Sequence, residues 1–247
     1  MMQDMKQQIM DKNEYIKWIQ SQDWYQTIEL KNGIVTKGKF PTNLRLKHFS
    51  DIPFKGKRVL DVGCNSGQYC LVAKAMGAKE VIGVDIDEKR LEQARTLALN
   101  EGLEIEYLNK TIFEISDLGV FDIVLCVAVL TEVQDFFGAV ESLKRVIGGY
   151  AFIELALAKP LLYVSKSKLW LKGNSKIPRG KSLTEVRQTK RGTWVINPSL
   201  ELLSAVFGEG YTVSYRGAGL RYDIIEVFKR PEKSASKPEN KVNPQDE

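Results

Sequence analysis

The stretch Val59-Leu60-Asp61-Val62-Gly63-Cys64-Asn65-Ser66-Gly67 constrains this chain more than any other. Arg58 to Gly63 is a largely apolar run, as in a parallel strand covered on both faces. Glycines at 63 and 67 close it, and Gln68 to Ala75 reads as a helix. Strand, tight turn and helix in that order leave free backbone N–H groups at the helix start. Glycine at 63 and 67 lets backbone approach a ligand where a side chain would collide. The spacing Gly63-x-x-x-Gly67, with Asn65 inside it, departs from the Gly-x-Gly-x-x-Gly pattern of pyrophosphate-binding loops. Glycines also end strands for purely structural reasons, so the loop alone leaves both readings open.

The pattern that follows is regular. Val81 to Asp85 is a second strand, and Asp87 can cap a helix to Asn100 with Leu91, Ala94 and Leu97 or Leu99 inward. Glu104–Leu108, Phe121–Val127 and Tyr150–Leu155 read as further strands, with a helix over Phe136–Val146. A helix over Pro198–Phe207 precedes two late strands, Tyr211–Gly219 and Asp223–Arg230, expected as an antiparallel hairpin at the sheet edge. The alternation predicts an α/β fold: a doubly wound seven-stranded sheet, mostly parallel, with that hairpin at one edge. Residues 1–55 form a lead-in, with a loose helical stripe at Met5, Ile9, Ile16 and Ile19. In it, Thr27–Leu30 and Ile34–Thr36 read as short strands joined by an Asn32-Gly33 turn, before a short helix around Leu44 and Leu46. The main domain spans 56–230 and is interrupted by an insertion at 159–193. Residues 231–247 hold one Val and no other large apolar residue, the composition of a disordered tail.

Asp85 ends the second strand, where a carboxylate can accept hydrogen bonds from both ribose hydroxyls of an adenosine. The alternative is that it only begins a turn before Asp87. Loop and carboxylate in register on adjacent strands point to adenosine binding. Val59–Gly67, Val81–Asp87 and Phe121–Leu130, at these spacings, resemble the class I S-adenosylmethionine-dependent methyltransferases over about residues 56–156, which implies a Rossmann-like fold. The Cys-Asn-Ser-Gly loop, Trp24–Leu30, Gly33–Thr36 and Thr193–Pro198 are similar to a subgroup that includes wobble-uridine tRNA methyltransferase-like proteins. The resemblance implies S-adenosylmethionine as cofactor, with Asp61, Gly63, Cys64, Asn65 and Gly67 around its methionine part. It implies Asp85 on the ribose, Ile86 against the adenine, Thr111 and Ile112 at the adenine edge, and Val127 and Ala128 near the sulfonium. Two positions depart from the subgroup. Gln26 stands where it usually has histidine, and Leu130-Thr131-Glu132 stands where it usually has Leu-Tyr-His. In the carboxymethyl-transferring members that tyrosine helps hold an extra carboxylate, so Thr131 favours ordinary methyl transfer. Glu132 is the candidate general base or substrate-orienting carboxylate; otherwise it is a solvated residue at a helix start.

Charge directs attention to the acceptor. The chain carries a formal +5, yet residues 161–191 hold nine basic residues and one acid, a net +8 that exceeds the whole. Lys172, Lys176, Arg179 and Lys181 in that segment, with Trp194 as a stacking surface, could grip RNA; an anionic small molecule would be attracted equally well. A solvated loop over the site is the third reading. The expected acceptor is a nucleoside in RNA or another anionic substrate, with a small-metabolite methyltransferase or a noncatalytic nucleic-acid-binding protein as alternatives. No metal site is expected: the cysteines, Cys64, Cys70 and Cys126, lack ligand spacing, and His48 has no partner cysteines. Residues 1–15 lack the apolar run of a secretory signal, and no stretch approaches the roughly 20 apolar residues of a membrane span. A cytoplasmic location without membrane partners is therefore expected; the sequence leaves the oligomeric state open.

Overall fold

Val59 and Leu60 point to opposite faces of the central strand, and each meets a separate apolar layer. The computed structural model describes residues 9–41, 43–158, 185–188, 194–218 and 222–231. In chain order its elements are α1 (Lys12–Ser21), β1 (Gln26–Thr27), β2 (Phe40–Pro41), α2 (Asn43–Leu46), β3 (Arg58–Val62), α3 (Gln68–Ala75), β4 (Glu80–Asp85), α4 (Glu88–Asn100) and β5 (Glu106–Asn109). They continue with β6 (Phe121–Val127), α5 (Phe136–Val146), β7 (Ile147–Leu155), β8 (Glu185–Gln188), β9 (Trp194–Asn197), α6 (Leu200–Phe207), β10 (Tyr211–Ala218) and β11 (Asp223–Lys229).

The main sheet has seven strands in the order β10-β11-β7-β6-β3-β4-β5. β3 to β7 pair in parallel, and β11 and β10 add antiparallel at the edge. This is the expected Rossmann-like, doubly wound sheet. Val59, Val81 and Ile123 face α3, α4 and the lead-in; Leu60, Ile82 and Val124 face α5 and α6. Such two-sided burial explains why the strands read as apolar runs rather than alternating patterns. Each fully buried large side chain contributes about 1.5–3 kcal/mol. The lead-in shares this core: Tyr15, Ile19, Trp24, Phe49 and Phe54 are buried against the α3–α4 face. The Arg216 guanidinium of β10 reaches back to the His48 carbonyl and to Asp51 at 2.8 Å.

Helix ends follow their local chemistry. Asp87 caps α4 by accepting from the Arg90 N–H, and Ser199 caps α6 by accepting from Leu202 N–H. Asp11 and Glu14 form a capping box on α1, which therefore starts at Lys12, after Ile9 of the apolar stripe; Met5 lies outside the described residues. The Asn32-Gly33 segment does reverse the chain, but as a 3-10 turn over Lys31–Gly33, and only Glu29 and Val35 form a bridge. The third strand starts at Glu106, and the fifth begins directly after α5 at Ile147. β8, inside the insertion, pairs antiparallel with β9, which directly follows the insertion. Sequence periodicity does not reveal that hairpin, because Glu185-Val186-Arg187-Gln188 offers a single apolar residue and backbone pairing leaves no trace in composition. Lys172, Lys176, Arg179 and Lys181, and all of the expected tail 231–247 after its first residue, lie outside the described residues.

Candidate functional site

β3 is flanked by β4 on one side and β6 on the other, so the chain winds away from it in both directions. Ligands of open α/β sheets bind beyond the carboxyl ends of the strands at this switch point. A cleft of about 790 Å³ lies there. Its floor is made by the loop after β3. Gly63 and Cys64 donate their N–H groups to the Val84 carbonyl at 2.8 and 3.0 Å, folding the loop over the end of β4. Asn65 then adopts a left-handed backbone, φ 51°, which asparagine tolerates better than most residues. Its N–H donates to Asp85 Oδ2 at 2.8 Å, and the Asp87 N–H donates to Asp85 Oδ1 at 3.0 Å. Both carboxylate oxygens are thus held in place, and each keeps a further lone pair for a ligand hydroxyl.

Gly63, Asn65, Asp85, Ile86, Thr111, Ile112, Val127, Ala128 and Glu132 all line the cleft. Ile86 is 70% exposed, an apolar side chain standing free at the entrance. Thr111 contributes position rather than a free hydroxyl, since its Oγ1 bonds Glu114 at 2.8 Å. Ala128 has φ 62°, an uncommon conformation for alanine, held by its N–H to the Glu154 carbonyl at 2.9 Å. Strained backbone of this kind concentrates at functional sites. Thr131 Oγ1 donates to the Ala128 carbonyl at 2.9 Å, which fixes the turn that carries Glu132 to the rim.

Three residues expected around the cofactor do not reach the cleft wall. Asp61, Cys64 and Gly67 lie buried beneath the loop. Gly67 is required for internal reasons: its φ is 81°, and a Cβ there would sit 2.4 Å from the Tyr107 hydroxyl. A Cβ on Gly63, φ 73°, would sit 2.3 Å from Val129 Cγ2. Both glycines therefore serve close packing under the loop as well as its left-handed turns. Burial pushes the Asp61 carboxyl up to about 7, against a Cys70 thiol that donates to it at 3.3 Å, while nearby Asp85 adds to the rise. Burial likewise pushes Cys126 up to about 12 and raises Cys64, so the thiols stay protonated and are poor nucleophiles. The cysteines are free, and no cluster of metal-ligating side chains occurs among the described residues. No helix among them is long and apolar enough to cross a membrane. Trp194 falls on β9, and its side chain lies outside the described residues.

Sequence reading missed the other wall. Tyr25, Phe40, Arg45, Tyr69, Arg90 and Tyr222 line the cleft together with Gln26. The lead-in supplies four of these seven, brought in by β1, β2 and α2. Of these, only Tyr25 and Gln26, inside the subgroup-like segment Trp24–Leu30, carried any signal, Gln26 as a departure from it. Arg45 Nε meets Glu154 Oε2 at 2.5 Å with both side chains buried.

The fold is that of a Rossmann-like α/β domain, and residues 60–153 match the family model described as methyltransferase domain. Among particular proteins, the chain is similar to the ubiquinone biosynthesis O-methyltransferase of Chelativorans sp. (strain BNC1), with 36% identity over 104 residues, 41% of each chain. The protein of that name from Marinobacter nauticus is 29% identical over 171 residues, 63% of this chain and 67% of that one. The chain spans about two fifths of the length of the first of these relatives. In solved structures the N-terminal domain of EvdMO1 with SAH bound superposes with a TM-score of 0.65, at 16% identity, over 90% of this chain and 98% of that one. Magnesium protoporphyrin IX methyltransferase from Synechocystis PCC 6803, with SAM bound, gives 0.52 at 17% identity, over 76% and 77%.

Proposed function

We propose that the protein is an S-adenosylmethionine-dependent methyltransferase. The observation that carries this reading is the Asn65 N–H to Asp85 Oδ2 bond of 2.8 Å, which locks the glycine loop and the ribose-type carboxylate together on one cleft. The residues fit the cofactor: about 790 Å³ accommodates a ligand of that size, and Asp85 retains lone pairs for ribose hydroxyls. Ile86, Thr111 and Ile112 would bound the adenine, with Gly63 and Arg45 toward the methionine end and Val127 and Ala128 between. S-adenosylmethionine, when bound, supplies a methyl group already activated on a sulfonium. The protein's task is then to position the acceptor in line and exclude water. Glu132, exposed on the rim, is the carboxylate available to orient the acceptor or take its proton.

The acceptor we favour is anionic, on the net +8 of residues 161–191, with a nucleoside in RNA as the form that this charge and the wobble-uridine resemblance support. A free small molecule is the second reading, supported by the name of the relatives, which describes an O-methyltransferase of ubiquinone biosynthesis. Incubation with methyl-labelled cofactor and either total RNA or a small-molecule extract tests both. Label in RNA, with RNA affinity falling steeply as salt rises, supports the first; label only in small molecules supports the second. No labelled product and no cofactor binding would overturn the methyltransferase reading.

A further inference from the structure

The wall that the lead-in adds to the cleft has a construction of its own. β1 and β2 pair in parallel with Gln26 opposite Phe40, and the Phe40 N–H donates to the Tyr25 carbonyl at 3.1 Å. The chain between them returns through Gly38, where a Cβ would lie 2.1 Å from the Gln26 carbonyl carbon. Thr36 Oγ1 donates to that carbonyl at 2.8 Å, and Thr27 Oγ1 donates to the Gly38 carbonyl at 3.1 Å. The backbone behind the wall is thereby held from several directions.

Three side chains face the cleft from it. The Tyr25 and Phe40 rings stand 4.5 Å apart with planes tilted 45°, and Tyr25 is 40% exposed. On β1, Gln26 is 6% exposed, and its Oε1 is buried without a hydrogen-bond partner. A buried amide oxygen left unpaired is unfavourable, and such an atom in a cleft implies a ligand that donates to it. Flat aromatic faces beside a single oriented polar group match planar ligands: rings pack on rings, and the polar group reads the ring edge.

We propose that Tyr25, Gln26 and Phe40 form the acceptor-recognition wall, and that the acceptor is a planar ring carrying an N–H or O–H donor at its edge. Uracil-type bases and catechol-type phenols share this chemistry. The inference rests on the methyl-transfer reading and narrows its acceptor. It also accounts for the buried side-chain oxygen of Gln26, which has no hydrogen-bond partner in the fold.

The test titrates catechol, uridine and trans-cyclohexane-1,2-diol into the full chain, with and without saturating S-adenosylhomocysteine, by calorimetry and ligand-observed NMR. The variants are Tyr25→Leu, Phe40→Leu and Gln26→Leu, with circular dichroism melts to establish folding. Catechol or uridine binds and the saturated diol does not. Each ring-removing variant weakens ring binding about tenfold, the scale of one lost stacking contact. Gln26→Leu also weakens it, while affinity for S-adenosylhomocysteine stays within about twofold in all three. Oligouridine that displaces catechol identifies a base in RNA as the source of the ring; a free phenol is indicated if it does not. Equal binding of the diol, no binding of either ring, or variants that bind rings as tightly as wild type would overturn the proposal. So would folded variants that lose S-adenosylhomocysteine instead, because the wall would then belong to the cofactor. Failure of the wild type to bind S-adenosylhomocysteine counts against the methyl-transfer reading, while the ring titrations without it still decide the wall.

Discussion

Arg45 Nε lies 2.5 Å from Glu154 Oε2 under the cleft, and the two side chains are 9% and 0% exposed. The contact joins α2 of the lead-in to the carboxyl end of β7. It is short but poorly aligned, since neither Arg45 Nε nor the Glu154 oxygens have a partner in hydrogen-bond geometry. Burial works against the arginine's charge, yet Tyr69 and Glu154 beside it raise its pKa. The pair therefore fixes where the lead-in meets the sheet.

Removing one partner strands the other as an uncompensated buried charge. Glu154→Gln or Arg45→Met should each cost about 3–5 kcal/mol, and the double variant should cost clearly less than the sum. Urea denaturation of the four proteins measures this, and additive losses would show that the pair is not coupled.

Asp85 is held by two backbone N–H groups on the cleft. Asp85→Ala should weaken S-adenosylmethionine binding by about 1.5–3 kcal/mol, the range for hydrogen bonds to a charged group. Calorimetry with the folded variant checks it. Unchanged affinity would take the carboxylate out of the cofactor site.

The buried Asp61 carboxyl, pushed up to about 7 by burial, makes stability depend on pH in a defined direction. Below about pH 4 folded and unfolded chains both keep the proton. Between about 4 and 7 only the unfolded chain releases it, so this group lowers stability as pH rises, by up to about 1.4 kcal/mol per unit. Above 7 its contribution levels off. Asp61→Asn should remove that slope. Denaturation midpoints of both proteins from pH 4 to 8 would reveal it, and parallel curves would contradict the assignment.

Gly67 combines φ 81° with a Cβ position 2.4 Å from the Tyr107 hydroxyl. Gly67→Ala should destabilise by about 1–3 kcal/mol from backbone strain alone, with the clash added. Tyr107→Phe in the same chain should restore part of the clash term and none of the strain. Thermal melts of single and double variants separate the two; no recovery would mean that the hydroxyl is not the obstacle.

The parallel sheet was legible because it is written locally. Runs such as Val59–Val62 and Phe121–Val127 must be apolar along their length to be buried on two faces, and Asp87 must be a capping residue to start α4. The glycine loop and Asp85 were legible for the same reason: a left-handed turn and a strand-end carboxylate impose residue types at fixed places. The second wall of the cleft was not. Gln26, Phe40 and Arg45 reach the site by packing of a lead-in whose strands are two residues long, too short for any periodicity. The Arg45–Glu154 pair spans more than a hundred positions, and charge alone marks neither partner. Asp61 and Cys64 went the other way, from expected ligand contacts to supports beneath the loop. Local sequence determined which strands and turns form; burial, which depends on everything packed around a residue, decided which side chains meet the cleft.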